Sequence, residues 1–181
     1  MRTRRFNAEV EFTEDRLVAV GPEDIDRLKE LARENSRKRM RLCTHDDVAD
    51  SLHEMFIVHE LGAYVRPHKH LGKVESFHVI EGAVDVVVFD DQGNITKLEP
   101  VSDYSSGKAF YHRISDPSFH TLLIRSDVLV FHEVTTGPFR NEDTEFPPWA
   151  PKDIDGNSVR DFLTELDGKI ENFLSRTGQT K

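Results

Sequence analysis

The chain has 181 residues, enough for one well-buried domain with appended helices and not comfortably enough for two. Its 33 acidic residues against 24 basic ones give a net charge of −9, and the RKRMR run at 37–41 is too short to form a basic face, so no nucleic acid is expected as a partner. There is no apolar stretch of membrane-spanning length, no apolar signal core in MRTRRFNAEVEF, and only one cysteine, Cys43; these features lead to the expectation of a cytoplasmic protein with no membrane association and no internal disulfide.

In chain order, the first expected element is a helix in GPEDIDRLKELARENS. Pro22 stands near its start, acids fill the first turn, and Ile25, Leu28 and Leu31 recur at helical spacing. From residue 52 to 136 the texture changes to short runs rich in Val, Ile, Phe and Tyr. They are LHEMFIVHEL, AYVRPHKH, ESFHVIEG, AVDVVVFD, NITKLEP, KAFYHRI, HTLLIRS and DVLVFHEV, separated by turn signals such as DDQGN and SDPS. Short strands at this spacing predict a sandwich or barrel. The Pro-rich GPFRNEDTEFPPWAPKDIDG is expected to wrap over that barrel, with Trp149 as an apolar anchor. A second helix follows, with Ser158 as its expected N-cap and Val159, Phe162, Leu163, Leu166, Ile170, Phe173 and Leu174 on one stripe. The expected division is an N-terminal extension over 1–51 with one helix packing on the barrel, the barrel over 52–136, and a Pro-rich wrap with a C-terminal helix over 137–181.

The stretch GAYVRPHKHLGKVESFHVIEG, residues 62–82, carries the chemistry. In an extended strand, side chains two apart share a face, so His68 and His70 point the same way about 7 Å apart along the chain. Glu75 follows, and Gly62 and Gly82 bracket the stretch. An imidazole pair suits Fe, Ni, Cu, Zn or Mn, and one carboxylate partly neutralises a dication. The other histidines, His45, His53, His59, His78, His112 and His132, are expected to be partly buried or at the surface, with His78 and His132 candidates for supporting the ligands.

Gly62, His68, His70, Glu75 and Gly82 together resemble the first motif of the cupin superfamily at every fixed position. The resemblance implies an all-β, cupin-type double-stranded β-helix, a flattened β-barrel, here with α-helices at both termini. It implies glycines that end strands at tight turns, and His68, His70 and Glu75 lining the barrel around one divalent transition metal (Fe, Ni, Zn or Mn). The fourth ligand would come from a second motif, for which His120 in SDPSFHTLLI is the candidate. That motif departs from the family pattern, with Ser115-Asp116-Pro117 in place of Pro-x-Gly and Ile124 where asparagine is frequent. Over residues 34–152, the order SRKRMRLCTH, YVRPHKH, FDDQGNITK, FHTLLI, EVTTGPF and PPWAPKD resembles the WbuC family of cupin-fold metalloproteins, often encoded near genes for surface polysaccharides.

The expected function is accordingly a metal-dependent enzyme on a small sugar or sugar-derived acid, of isomerase, epimerase or lyase-like type. The alternatives are an Fe(II)-dependent dioxygenase and a non-catalytic module that binds a small ligand. Tyr111 and His132 are candidate proton carriers by residue type. Arg66, two residues before His68 and held extended by Pro67, is expected to face inward. It would pair with Asp85 or Glu81 there, or bind an anionic small-molecule substrate. Family habit and the two amphipathic helices favour a homodimer.

Overall fold

The computed structural model describes residues 1–178. The chain runs β1 (Thr3–Arg5), β2 (Val10–Thr13), α1 (Pro22–Glu34), β3 (Arg39–Cys43), β4 (Leu52–Glu60), β5 (Lys69–His70), β6 (Glu75–Glu81) and β7 (Ala83–Phe89). It continues through β8 (Ile95–Ser102), β9 (Tyr111–Ile114), β10 (Phe119–Ile124), β11 (Val128–Thr136), β12 (Thr144–Glu145) and α2 (Gly156–Thr177). A seven-stranded sheet of order β1-β2-β3-β4-β11-β6-β9 faces a three-stranded sheet of order β10-β7-β8, and β12 pairs with β5. The fold is all-β with two flanking helices, and every strand pattern read from 52–136 contains a strand.

Alternation decides what faces the interior. On β4 and β11 the inward side chains include Met55, Ile57, Leu129 and Phe131. From the smaller sheet Val84, Val86, Leu122 and Ile124 meet them in one core. The opposite faces are covered as well. Met40, Leu42, Val58 and Val130 pack under Ile25, Leu28 and Ala32 of α1, while Val87, Phe89, Leu98 and Leu123 pack under Leu166 and Ile170 of α2. This is why AVDVVVF and FHTLLI read as continuous apolar runs: strands covered on both faces have no solvent side to mark with polar residues. Trp149 closes the second helix contact, within 5.1 Å of the Phe89 ring and 6.1 Å of the Phe119 ring.

Three details differ from the sequence reading. The segment before residue 52 contributes three strands as well as a helix, because β3 pairs with β4 and brings β2 and β1 onto the same sheet. AYVRPHKH forms a regular strand only at its last two residues, Pro67 having no N–H to offer a ladder. The N-cap of α2 is Asp155, not Ser158. The Asp155 carboxylate accepts from the Ser158 backbone N–H at 3.3 Å and from its hydroxyl at 2.6 Å, and the helix starts two residues before Ser158. No helix among the described residues is long and apolar enough to cross a membrane.

Gly62 and Gly82 both have positive φ, +81° and +91°, as the strand-ending turns require. They differ in surroundings. A Cβ on Gly62 would meet only the Lys38 Nζ at 3.6 Å, whereas one on Gly82 would overlap the Val128 carbonyl and the Ser126 hydroxyl. Gly62→Ala should therefore cost only the left-handed penalty, about 1–2 kcal/mol. Gly82→Ala adds a backbone clash and should cost about 3 kcal/mol or more, measured as a difference between urea midpoints.

Candidate metal centre

Four segments deliver the cluster. After the Gly62 turn the chain runs extended to His68, which forms an antiparallel bridge with His120 on β10, with N–H···O distances of 3.0 and 2.9 Å. His70 is in β5, opposite Thr144 of β12. Glu75 opens β6 on its inward face, opposite Thr135 of β11. His120 shares the inward face of β10 with Leu122 and Ile124, both core residues.

The side chains of His68, His70, Glu75 and His120 converge, with one potential ligand atom from each lying within 4.8 Å of every other. Bonds of about 2.1 Å to one ion place neighbouring ligands about 3 Å apart and opposite ones about 4.2 Å apart, so the cluster has the size of a mononuclear site. The outer nitrogens are already committed. His68 Nδ1 donates to the Arg66 carbonyl at 2.8 Å and His120 Nδ1 to the Ser118 carbonyl at 3.0 Å. Those bonds fix the tautomer that leaves Nε2 to face the cluster. His70 Nδ1 lies 3.2 Å from the Thr144 hydroxyl. The donor set, three imidazoles and one carboxylate with outward nitrogens anchored, fits a divalent transition ion.

Glu75 ties the group together, its two oxygens lying 3.1 Å from His70 Nε2 and 2.8 Å from His120 Nε2. Burial by itself would raise the Glu75 pKa, but hydrogen bonds from His120 and His70 outweigh it and hold the carboxyl well below its ordinary range. The same contact works on His120. Burial disfavours its charge, yet the hydrogen bond and the negative charge of Glu75 raise its pKa above the ordinary imidazole value. His68 has no such bond, and burial, helped by His120, pushes it down to about 4.

The cluster lies on the wall of a cavity of about 280 Å³ between the sheets. Its apolar lining includes Phe77, Leu122, Phe131, Phe139 and Phe146. A second carboxyl, Glu133, also lies on this lining. Burial, with the Glu75 charge nearby, pushes Glu133 up to about 7. Cationic side chains on the same lining are Arg39, Arg41, Arg66 and Lys73. His59, buried against Phe131, is pushed down to about 3 by burial and by the arginines of β3.

The two proposed proton carriers lie elsewhere. Tyr111 is 51% exposed and paired with His78, because Ile114 and His112 occupy the inward phase of β9. His132 points outward between the rings of Phe56 and His78, since its neighbours Phe131 and Glu133 take the inward phase. Glu133 is the residue sequence reasoning missed. The VLVF run that precedes them is apolar at every position, so alternation alone does not reveal which of His132 and Glu133 faces in.

Arg66 does line the cavity, but neither expected acid pairs with it. Asp85 binds Arg125 Nε at 2.6 Å and Glu81 binds Lys29 Nζ at 2.5 Å. Arg66 instead donates to the Ala150 carbonyl at 3.3 Å and lies over the Phe146 ring at 4.5 Å. Its Nε is buried without a partner.

A family model described as a domain of unknown function (DUF6016) matches residues 20–100, less than half of the chain. No curated protein matches the sequence. Among solved structures, a protein from Shewanella oneidensis is similar at 10% identity and a TM-score of 0.46, over 57% of this chain and 66% of its own. Oxalate decarboxylase from Bacillus subtilis is similar at 18% identity and a TM-score of 0.44, over 55% of this chain and 25% of its own. A sugar phosphate isomerase from a cupin superfamily, from Silicibacter pomeroyi, is similar at 25% identity and a TM-score of 0.39, over 49% of this chain and 52% of its own. The matched part thus spans less than two thirds of each of these three proteins.

Proposed function

We propose that the chain is a metal-dependent enzyme acting on a small sugar or sugar-derived acid, by isomerisation, epimerisation or a lyase-like elimination. His68, His70, Glu75 and His120 would hold one Fe, Ni, Zn or Mn ion. The observation that carries this reading is the coexistence, in one cavity, of that four-residue cluster with a second carboxyl, Glu133, whose pKa burial raises. The resemblance to the WbuC family favours a sugar of surface polysaccharides.

A bound divalent ion would supply Lewis acidity, polarising a carbonyl and so acidifying the adjacent C–H. The remaining work falls to side chains of this chain. Glu133 accepts that proton and returns it, its burial making it a stronger base than an exposed carboxylate. Arg66 holds an anionic group of the substrate, stacked on Phe146 so that its guanidinium keeps one orientation. Phe139 and Phe146 on the lining limit the approach of water.

Elemental analysis of the purified full chain should find one transition metal per chain. Saturating metal at a hundredfold excess over Kd should add about 2.7 kcal/mol to the stability of the fold. His70→Ala should lose both effects, and a chain free of metal whose melting ignores His70→Ala would refute the reading. Uptake must displace the proton shared between His120 and Glu75. Affinity should therefore rise with pH, because the raised His120 pKa keeps the proton in competition to higher pH than for an ordinary imidazole.

Glu133→Gln should keep the metal and lose about 10²–10⁴-fold in turnover. In the wild type, kcat/KM should fall on the acid side as Glu133 becomes protonated, and Glu133→Gln should abolish that limb. Stability of the metal-free protein gives an independent check. The folded chain holds the Glu133 proton from the ordinary carboxylate range up to about 7 while the unfolded chain releases it, so stability falls with rising pH across that window. Glu133→Gln should remove this slope, being more stable than wild type at pH 8 and no more stable at pH 4.

A further inference from the structure

β3 alternates in an unusual way. Met40 and Leu42 point outward under α1, which leaves Arg39 and Arg41 to point into the barrel, where both line the cavity. The two arginines are not equivalent. Arg39 Nε binds Glu9 at 2.7 Å, and its guanidinium lies 3.9 Å from Asp153. Asp153 and Glu9 are also engaged by Arg37. Arg41 has none of this. Among the described residues no carboxylate lies within 4.0 Å of its guanidinium, and the guanidinium makes no hydrogen bond.

Each acid on the cavity lining has another role. Asp153 belongs to Arg37 and Arg39, Glu75 to the imidazoles, and Glu133 is only partly ionised near neutrality. Lys73 is held by the Pro138 carbonyl at 2.8 Å and by Asp143 at 3.4 Å. Among the described residues two guanidinium groups therefore face one small cavity with no carboxylate in ion-pair contact, Arg41, whose charge acts on Glu133 from a greater distance, and Arg66, whose Nε is buried without a partner. This happens in a chain whose net charge is −9, so the positive interior is a local arrangement that bulk composition does not produce. Burying the Arg66 Nε without a partner is costly, and the planar guanidinium fork of either arginine matches a carboxylate or phosphate in two parallel hydrogen bonds.

We infer that Arg41, together with Arg66, forms an oxyanion subsite in the cavity, so that the substrate carries a carboxylate or phosphate group separate from the oxygens presented to the metal cluster. The inference deepens the proposed function and rests on it only for calling the ligand a substrate. The subsite itself stands on Arg41, Arg66 and the cavity. The cavity volume of about 280 Å³ restricts the ligand to a small molecule.

The test is a calorimetric titration of the full chain with inorganic phosphate and with malonate, in metal-loaded and chelator-treated forms. Phosphate should bind both forms of the wild type. Arg41→Gln should weaken phosphate and malonate at least tenfold in both forms while leaving metal content unchanged. Arg41→Lys keeps the charge without the fork and should weaken them severalfold. Tighter malonate assigns a carboxylate and tighter phosphate a phosphoryl group, and either supports the subsite. Equal affinities in wild type and Arg41→Gln would overturn it, as would anion binding that disappears whenever the metal is removed. If Arg41→Gln does not fold, Arg41→Lys decides, unaltered affinity there being the adverse result. A preparation that takes up no metal but still binds phosphate through Arg41 would sink the metal reading and leave the subsite standing.

Discussion

The backbone bridge between His68 and His120 is the constraint on which the rest of the site depends. Two reciprocal N–H···O bonds join the irregular segment before β5 to the first inward position of β10. With the bridge in place, His120 cannot shift along β10 without moving Leu122 and Ile124 out of the core, because register in a strand pairing moves by whole residues and a one-residue slip turns every side chain to the other face. The core packing of β10 against β7 therefore also fixes where the imidazole sits. His68 is held by the same bridge and by the bond from its own Nδ1 to the Arg66 carbonyl. A pair of imidazoles is thus positioned by main-chain geometry, with Glu75 and His70 brought in by β6 and by the short pairing of β5 with β12.

Charge is sorted by the same alternation. The surface of the chain is acidic, yet the cavity gathers Arg39, Arg41, Arg66 and Lys73. Met40 and Leu42 are needed beneath α1, and that demand commits the odd positions of β3 to the interior. Arginine there is tolerable because Glu9 and Asp153 reach Arg39 from the flanking segments. The stretch that carries Asp153 also places Ala150 and Phe146 against Arg66. The Pro-rich wrap is therefore part of the cavity wall as well as a cover for the barrel.

The helices explain features of the strands that would otherwise be puzzling. α1 covers β3, β4 and β11 from outside, and α2 covers β7, β8 and β10. Both sheets are consequently buried on two faces over much of their area, which small antiparallel barrels do not require. The outer end of the large sheet is not covered, and there His78, Ile80 and Tyr111 remain exposed.

By itself the sequence determined the strands within 52–136, both helices, and the shared face of His68 and His70, while β1 to β3 escaped it and Glu75 joined the cluster through the family resemblance. The features it determined follow from local periodicity, turn residues and short spacings, each contained within a few consecutive residues. His120 was reachable only through a family resemblance, since nothing local ties SDPSFHTLLI to a stretch so far away in the chain. The tertiary structure decided the rest. It alone chose Glu133 over His132, because the apolar run before them hides the phase of β11 until its neighbours fix it, and it turned Tyr111 outward by putting His112 and Ile114 on the inward phase of β9. It also decided that Asp85 and Glu81 serve Arg125 and Lys29, leaving Arg66 and Arg41 facing the cavity. Ion pairs between long side chains depend on which surfaces meet in space, and sequence spacing carries no record of that.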